Sequence, residues 1–119
     1  MQTLSAVLHQ GDQDPALQEI ILALASAGER ISAKLRLGAL ASILGDAKKV
    51  NVQGEQQKKL DIIANQIVID KLSSLKAVAG MASEEEEQFI TGHPEGRYLV
   101  MFDPLAVSYT HLTLPTILL

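Results

Sequence analysis

Two short apolar runs in this sequence each end in carboxylates, and that pairing is its most chemically suggestive pattern. Ala77-Val78-Ala79-Gly80-Met81-Ala82 leads into Ser83-Glu84-Glu85, and Tyr98-Leu99-Val100-Met101-Phe102 leads into Asp103-Pro104. Runs of this length and character form buried strands. If the two strands lie parallel, both sets of carboxylates emerge at one edge of the sheet, where ligands of open α/β sheets bind. Hard divalent cations take oxygen ligands, and Mg²⁺ commonly uses one or two carboxylates while sharing the phosphate oxygens of a substrate. An acidic chain that handles an anion needs such a cation to reverse the local sign. Each feature also has a plainer reading. Glu84 to Glu87 would serve as a solvated turn, and Asp103-Pro104 is a common turn opener. Asp61, between Leu60 and Ile62, is an ordinary polar edge on a helix unless something recruits it. His9, His93 and His111 have no ligand spacing to one another, so no zinc or iron site follows. Gly92-His93-Pro94-Glu95-Gly96 reads as a loop tip.

These residues must be positioned by helices and a sheet. Asp14-Pro15 is a helix start, with a capping oxygen followed by a residue whose missing N–H costs nothing at the first helical position. Leu17, Ile20, Ile21 and Leu24 follow at helical spacing, and a second stretch with Ile31, Leu35, Leu40, Ile43 and Leu44 stops at Gly45-Asp46. Gly28 and Gly38 either weaken these helices or let them pack closely. Lys48 to Gly54 reads as a loop. A stronger helix then spans roughly Glu55 to Leu75, turning Leu60, Ile63, Ala64, Ile67, Val68 and Leu72 toward a core. Helices followed by strands predict an α/β fold in its layered α+β form, with helices covering a sheet.

Composition narrows the function classes. The chain has 119 residues, which suits one domain at most, and its 47% hydrophobic content supports a packed core. A net charge of −4 gives no footing for nucleic-acid binding, which needs clustered Lys and Arg. The absence of cysteine removes disulfides and thiol chemistry and suits a reducing cytosol. The start of the chain lacks a signal-peptide pattern, and the apolar stretch from Ile20 is interrupted by Gly28-Glu29-Arg30, too short to span a bilayer. A cytoplasmic protein without membrane partners is expected. The four aromatic residues, Phe89, Tyr98, Phe102 and Tyr109, all lie in the last third.

The motifs, taken together, resemble class 1 fructose-1,6-bisphosphatase. Asn51 to Asp61 is similar to the family's helix entry, Ala82 to Glu86 to its acidic turn, and Gly96 to Leu105 to the strand leading into its Asp-Pro-Leu motif. Order, spacing and content agree over about fifty residues, and Ile43-Leu44-Gly45 anchors a weaker match before them. The resemblance implies a Mg²⁺-dependent phosphatase that removes the 1-phosphate of fructose 1,6-bisphosphate in gluconeogenesis or the Calvin cycle, homotetrameric at full length. It implies that Glu84 bridges metals, that Asp103 and the backbone carbonyl of Leu105 are further metal ligands, and that Glu55 helps hold another metal during turnover. Asp61 and Glu85 would orient and deprotonate the attacking water. Arg97-Tyr98 resembles the Lys-Tyr pair that touches a regulatory nucleotide phosphate.

The chain departs from the family pattern in two places. After Leu105 the expected second aspartate is replaced by Ala106, and Val107 and Tyr109 stand at phosphate-binding positions. Val107 to Thr116 resembles the translation of a transposase sequencing adapter. Residues 1–105 are therefore expected to be the N-terminal part of the family domain, with 106–119 a junction tail that is set aside. The family's AMP-binding Thr-Gly-Glu-Leu-Thr signature is also absent, with Asp14-Pro15-Ala16-Leu17 in its place, which speaks against AMP inhibition. The alternatives are a sedoheptulose-bisphosphatase or inositol-monophosphatase-like sibling, or a non-catalytic helical interaction module.

Overall fold

The structure, a computed structural model, describes residues 2–44 and 50–104, with the backbone alone over the helical residues among 39–57. The chain runs through α1 (Leu4–Gln10), α2 (Pro15–Leu44), α3 (Val50–Ser73), β1 (Val78–Ser83), β2 (Ile90–Thr91) and β3 (Tyr98–Phe102). α1 is an element the sequence reading passes over. Thr3 caps it, its hydroxyl accepting from Ala6 N at 3.0 Å, and buried Leu8 anchors it. The two helical stretches expected between Pro15 and Leu44 are one continuous helix. A glycine inside a helix costs only about 1 kcal/mol, and burial of Ile20, Ala27 and Ile31 along one face outweighs it. A Cβ added at Gly38 would meet Leu60 Cδ1 at 3.8 Å, an ordinary contact, so this position does not need glycine for close packing.

α3 also starts earlier than expected. Residues 50–54, read as loop, are helical, and Gly54 is accommodated within the helix. Of the residues assigned to its inner face, Ala64, Ile67, Val68 and Leu72 are buried, while Ile63 is 40% exposed. The apolar face is narrower than the sequence suggests because Asn65 shares it.

The sheet has the order β2-β1-β3, with β1 central, antiparallel to β2 and parallel to β3. The parallel pairing of β1 and β3 meets the condition under which their carboxylates emerge at one edge. Val78 pairs with Tyr98, but Gly80 pairs with Leu99, so a bulge at Ala79 shifts the register. The extra residue reverses the alternation of β1. Val78 before it, and Met81 and Ser83 after it, consequently all point to the helices and are buried. Tyr98, Val100 and Phe102 of β3 pack on the same core, formed with Ile20, Ala27, Ile31, Val68 and Leu72. The opposite face is open: Leu99 is 66% and Met101 82% exposed.

Between β2 and β3 the chain lies directly on β1. Gly92 N donates to Ala79 O at 2.9 Å and His93 N to Val78 O at 2.8 Å. A Cβ at Gly92 would stand 2.4 Å from Val78 O, and one at Gly96 would stand 2.4 Å from Ala79 N. Neither described glycine has a positive φ. They are there for the close approach of one backbone to another. What reads as a free loop tip is a segment clamped to the central strand.

Candidate functional site

The carboxyl ends of β1 and β3 meet because the strands are parallel and Ser83 pairs with Phe102. The ladder continues one step further, with Glu84 N donating to Phe102 O at 3.1 Å. Glu84 and Asp103 therefore stand side by side. Their carboxyls hydrogen-bond, and that bond, with the repulsion between them and a smaller contribution from burial and Glu85, raises Glu84 above the ordinary carboxylate range. The pair is a hard oxygen donor set of the type and number that Mg²⁺ draws from a protein.

The other predicted residues fall into three groups. Glu85 lies in the same turn and is exposed. Asp61 is half-buried on α3, one turn before Asn65, and residues four apart share a helix face. Asn65 reaches the acidic turn itself, donating from Nδ2 to Glu86 Oε1 at 2.8 Å and accepting from Ser83 Oγ. The face of α3 that bears Asp61 therefore meets the end of β1. Glu55 lies in the first part of α3 with its side chain outside the described residues, and Leu105 is outside them altogether. Among the described residues, no three His, Cys, Asp or Glu side chains converge closely enough to hold a metal. The donor set fits a divalent cation as a pair, and the further ligands expected, Glu55 and the Leu105 carbonyl, are not described.

Arg97 and Tyr98 sit at the opposite end of β3, and their partner is Asp14. Asp14 Oδ1 accepts from Ala16 N at 3.2 Å, the expected helix cap, while Oδ2 accepts from Tyr98 Oη at 2.8 Å and forms an ion pair with Arg97. The Tyr98 hydrogen bond, then that from Ala16 and the Arg97 charge, hold Asp14 below its ordinary value. Tyr98 is raised in turn, chiefly because its hydroxyl donates to Asp14. The sequence offered the cap but not this long-range closure. Nor did it single out Asn65, whose signal was one polar residue among Ala64, Ile67 and Val68.

A family described as Fructose-1-6-bisphosphatase, N-terminal domain, matches residues 3–116. The chain belongs to this fructose-1,6-bisphosphatase family. The match takes in α1 and α2, where the sequence resemblance is weakest. It also extends past Leu105 into the segment resembling an adapter. The chain is 55% identical over 98 residues to the class 1 fructose-1,6-bisphosphatase of Neisseria meningitidis serogroup A, covering 82% of this chain and 30% of the relative. The Psychrobacter cryohalolentis class 1 enzyme is 46% identical over 105 residues, or 88% of this chain and 32% of that one. The chain thus spans about a third of the length of the curated relatives it matches. Among solved structures, the holo form of Leishmania major fructose-1,6-bisphosphatase superposes with a TM-score of 0.66 at 26% identity, over 92% of this chain and 34% of that one. The helices and small mixed sheet are an incomplete α/β fold of the family type. No helix among the described residues is long and apolar enough to cross a membrane.

Proposed function

We propose that residues 1–105 are the N-terminal part of a cytoplasmic, homotetrameric Mg²⁺-dependent phosphatase that hydrolyses the 1-phosphate of fructose 1,6-bisphosphate. The observation that supports this reading most strongly is the Glu84–Asp103 pair at the carboxyl edge of two parallel strands. Mg²⁺ bound there would supply the positive charge that draws phosphoryl oxygens and acidifies a water near neutral pH. Glu84 and Asp103 would hold it through carboxylate oxygens, with Glu55 and the Leu105 carbonyl supplying further ligands. Asp61 and Glu85, one on α3 and one in the acidic turn, would orient the attacking water and take its proton, a division of work suited to neighbouring carboxylates. Residues 106–119 would be a junction tail with no part in the chemistry.

On this reading the 119-residue chain alone releases no phosphate, because one edge of a site is not a substrate pocket. The test is phosphate release from fructose 1,6-bisphosphate by the complete enzyme in which residues 1–105 continue into the family's Asp-Gly-Ser-Ser sequence. Mg²⁺-dependent turnover by that enzyme, absent from the 119-residue chain, is the expected result. Equal turnover by both, or turnover indifferent to Mg²⁺, would refute it. Resequencing the source across the Leu105 codon separately tests the junction: Asp-Gly-Ser-Ser is expected, and a confirmed Ala-Val-Ser-Tyr would refute it.

A further inference from the structure

Every backbone N–H of the turn from Glu84 to Glu86 is engaged, and two buried polar side chains govern the arrangement. Glu84 N donates to Phe102 O at 3.1 Å, Glu85 N to Ser83 Oγ at 3.2 Å, and Glu86 N to Ser83 O at 3.1 Å. The Ser83 hydroxyl donates to Asn65 Oδ1, and Asn65 Nδ2 donates to Glu86 Oε1 at 2.8 Å. Asn65 is 6% and Ser83 7% exposed, beside an entirely buried Val68. Burying an amide and a hydroxyl in apolar surroundings is costly unless both are hydrogen-bonded. A fully connected network of this kind specifies one arrangement where apolar packing would permit several.

We propose that Asn65 and Ser83 are positioning residues for the acidic edge, and that Glu86 is their tether and not a metal ligand. Asn65 lies one helical turn from Asp61, so the network fixes the acidic turn against the face of α3 that bears Asp61. Ser83 shapes the turn directly, because its hydroxyl accepts from Glu85 N while its carbonyl accepts from Glu86 N. The bulge at Ala79 is what turns Ser83 toward α3 at all. This assignment rests on the reading of Glu84 and Asp103 as cation ligands.

The test uses hydrogen exchange of the 119-residue chain, read over Ser83–Glu87 and over Ile90–Thr91 and Tyr98–Phe102, with and without Mg²⁺. Ser83→Ala and Asn65→Leu are expected to speed exchange in the turn about tenfold, the loss of one net hydrogen bond, while the strands are unaffected. The Mg²⁺ concentration that protects the turn should rise by a similar factor in both. Ser83→Thr, which keeps the hydroxyl, and Glu86→Gln, which keeps an acceptor for Asn65, should both behave as the parent. Glu86→Leu is a surface change that leaves the core intact and should speed turn exchange without abolishing Mg²⁺ protection. Unchanged turn exchange and unchanged Mg²⁺ dependence in Ser83→Ala and Asn65→Leu would overturn the proposal, as would loss of protection spread evenly over the strands. Absence of any Mg²⁺ effect in the parent would instead overturn the cation reading, leaving the exchange comparison to judge the turn.

Discussion

The two ends of β3 show opposite electrostatics on one five-residue strand. At the end that enters from Gly96, Arg97 and Tyr98 close on Asp14, and opposite charges and hydrogen-bond donors satisfy one another within the chain. At the end that leaves through Asp103, two carboxyls stand side by side, and Asp103, through its hydrogen bond and its charge, raises Glu84 above the ordinary carboxylate range. The first end fastens α2 to the sheet. The second leaves like charges side by side, an arrangement that a bound cation would relieve. Proximity of charged side chains alone does not mark a site, since both ends have it. What distinguishes the two ends is the sign of the residual charge.

The contrast can be broken first at the acidic end. In the complete enzyme, Glu84→Gln or Asp103→Asn should lower Mg²⁺-dependent phosphate release by about 10³-fold, in the range of losing one main electrostatic stabiliser of the transition state. Arg97→Gln should leave Mg²⁺-dependent turnover within a few-fold of the parent, as steady-state kinetics would show. The fastened end depends on close approach. Gly96→Ala, whose Cβ would press on Ala79 N, is expected to cost about 1–3 kcal/mol in urea unfolding, as overpacking does.

The two ends should also respond to pH with opposite signs. Asp14 is held below its ordinary 3.8, so it contributes stability above that pH and loses it as pH falls through its lowered folded value. Glu84 is raised above its ordinary 4.5, so it costs stability at neutral pH and the cost vanishes as pH falls through the raised value toward 4.5. Thermal melting of the 119-residue chain should therefore find Asp14→Asn less stable than the parent at pH 7, with the gap closing below about pH 4. Glu84→Gln should be more stable than the parent at pH 7, with its advantage closing as pH falls toward 4.5. The smallest effect belongs to neither end. Gly38→Ala has room for its methyl group and should stabilise by about 0.5–1 kcal/mol, leaving both pH dependences unchanged.

Much of the acidic end was legible in the sequence because it rests on local order. An apolar run that ends in carboxylates reads as a strand with those carboxylates at its carboxyl edge, and only the parallel pairing had to be supplied by the fold. Pro15 and Asp14 marked the start of α2 for the same reason, since capping is local. The bulge at Ala79 was not legible, and it decides whether Ser83 faces α3 or solvent. Nor was the bond from Asp14 to Tyr98, because contacts between residues this far apart in sequence leave no periodic trace. The glycines at 92 and 96 looked like punctuation of a loop. Their reason is the backbone of Val78 and Ala79 lying against them, a neighbour that spacing does not reveal.

The central claim is that the edge formed by Glu84 and Asp103 is a cation site. Its most direct test is a Mg²⁺ titration of the 119-residue chain followed by side-chain carboxyl carbon resonances. The account predicts saturable shifts at Glu84 and Asp103, with no shift at Asp14, and their loss in Glu84→Gln. Shifts spread equally over all surface carboxylates, or none at Glu84 and Asp103, would contradict it.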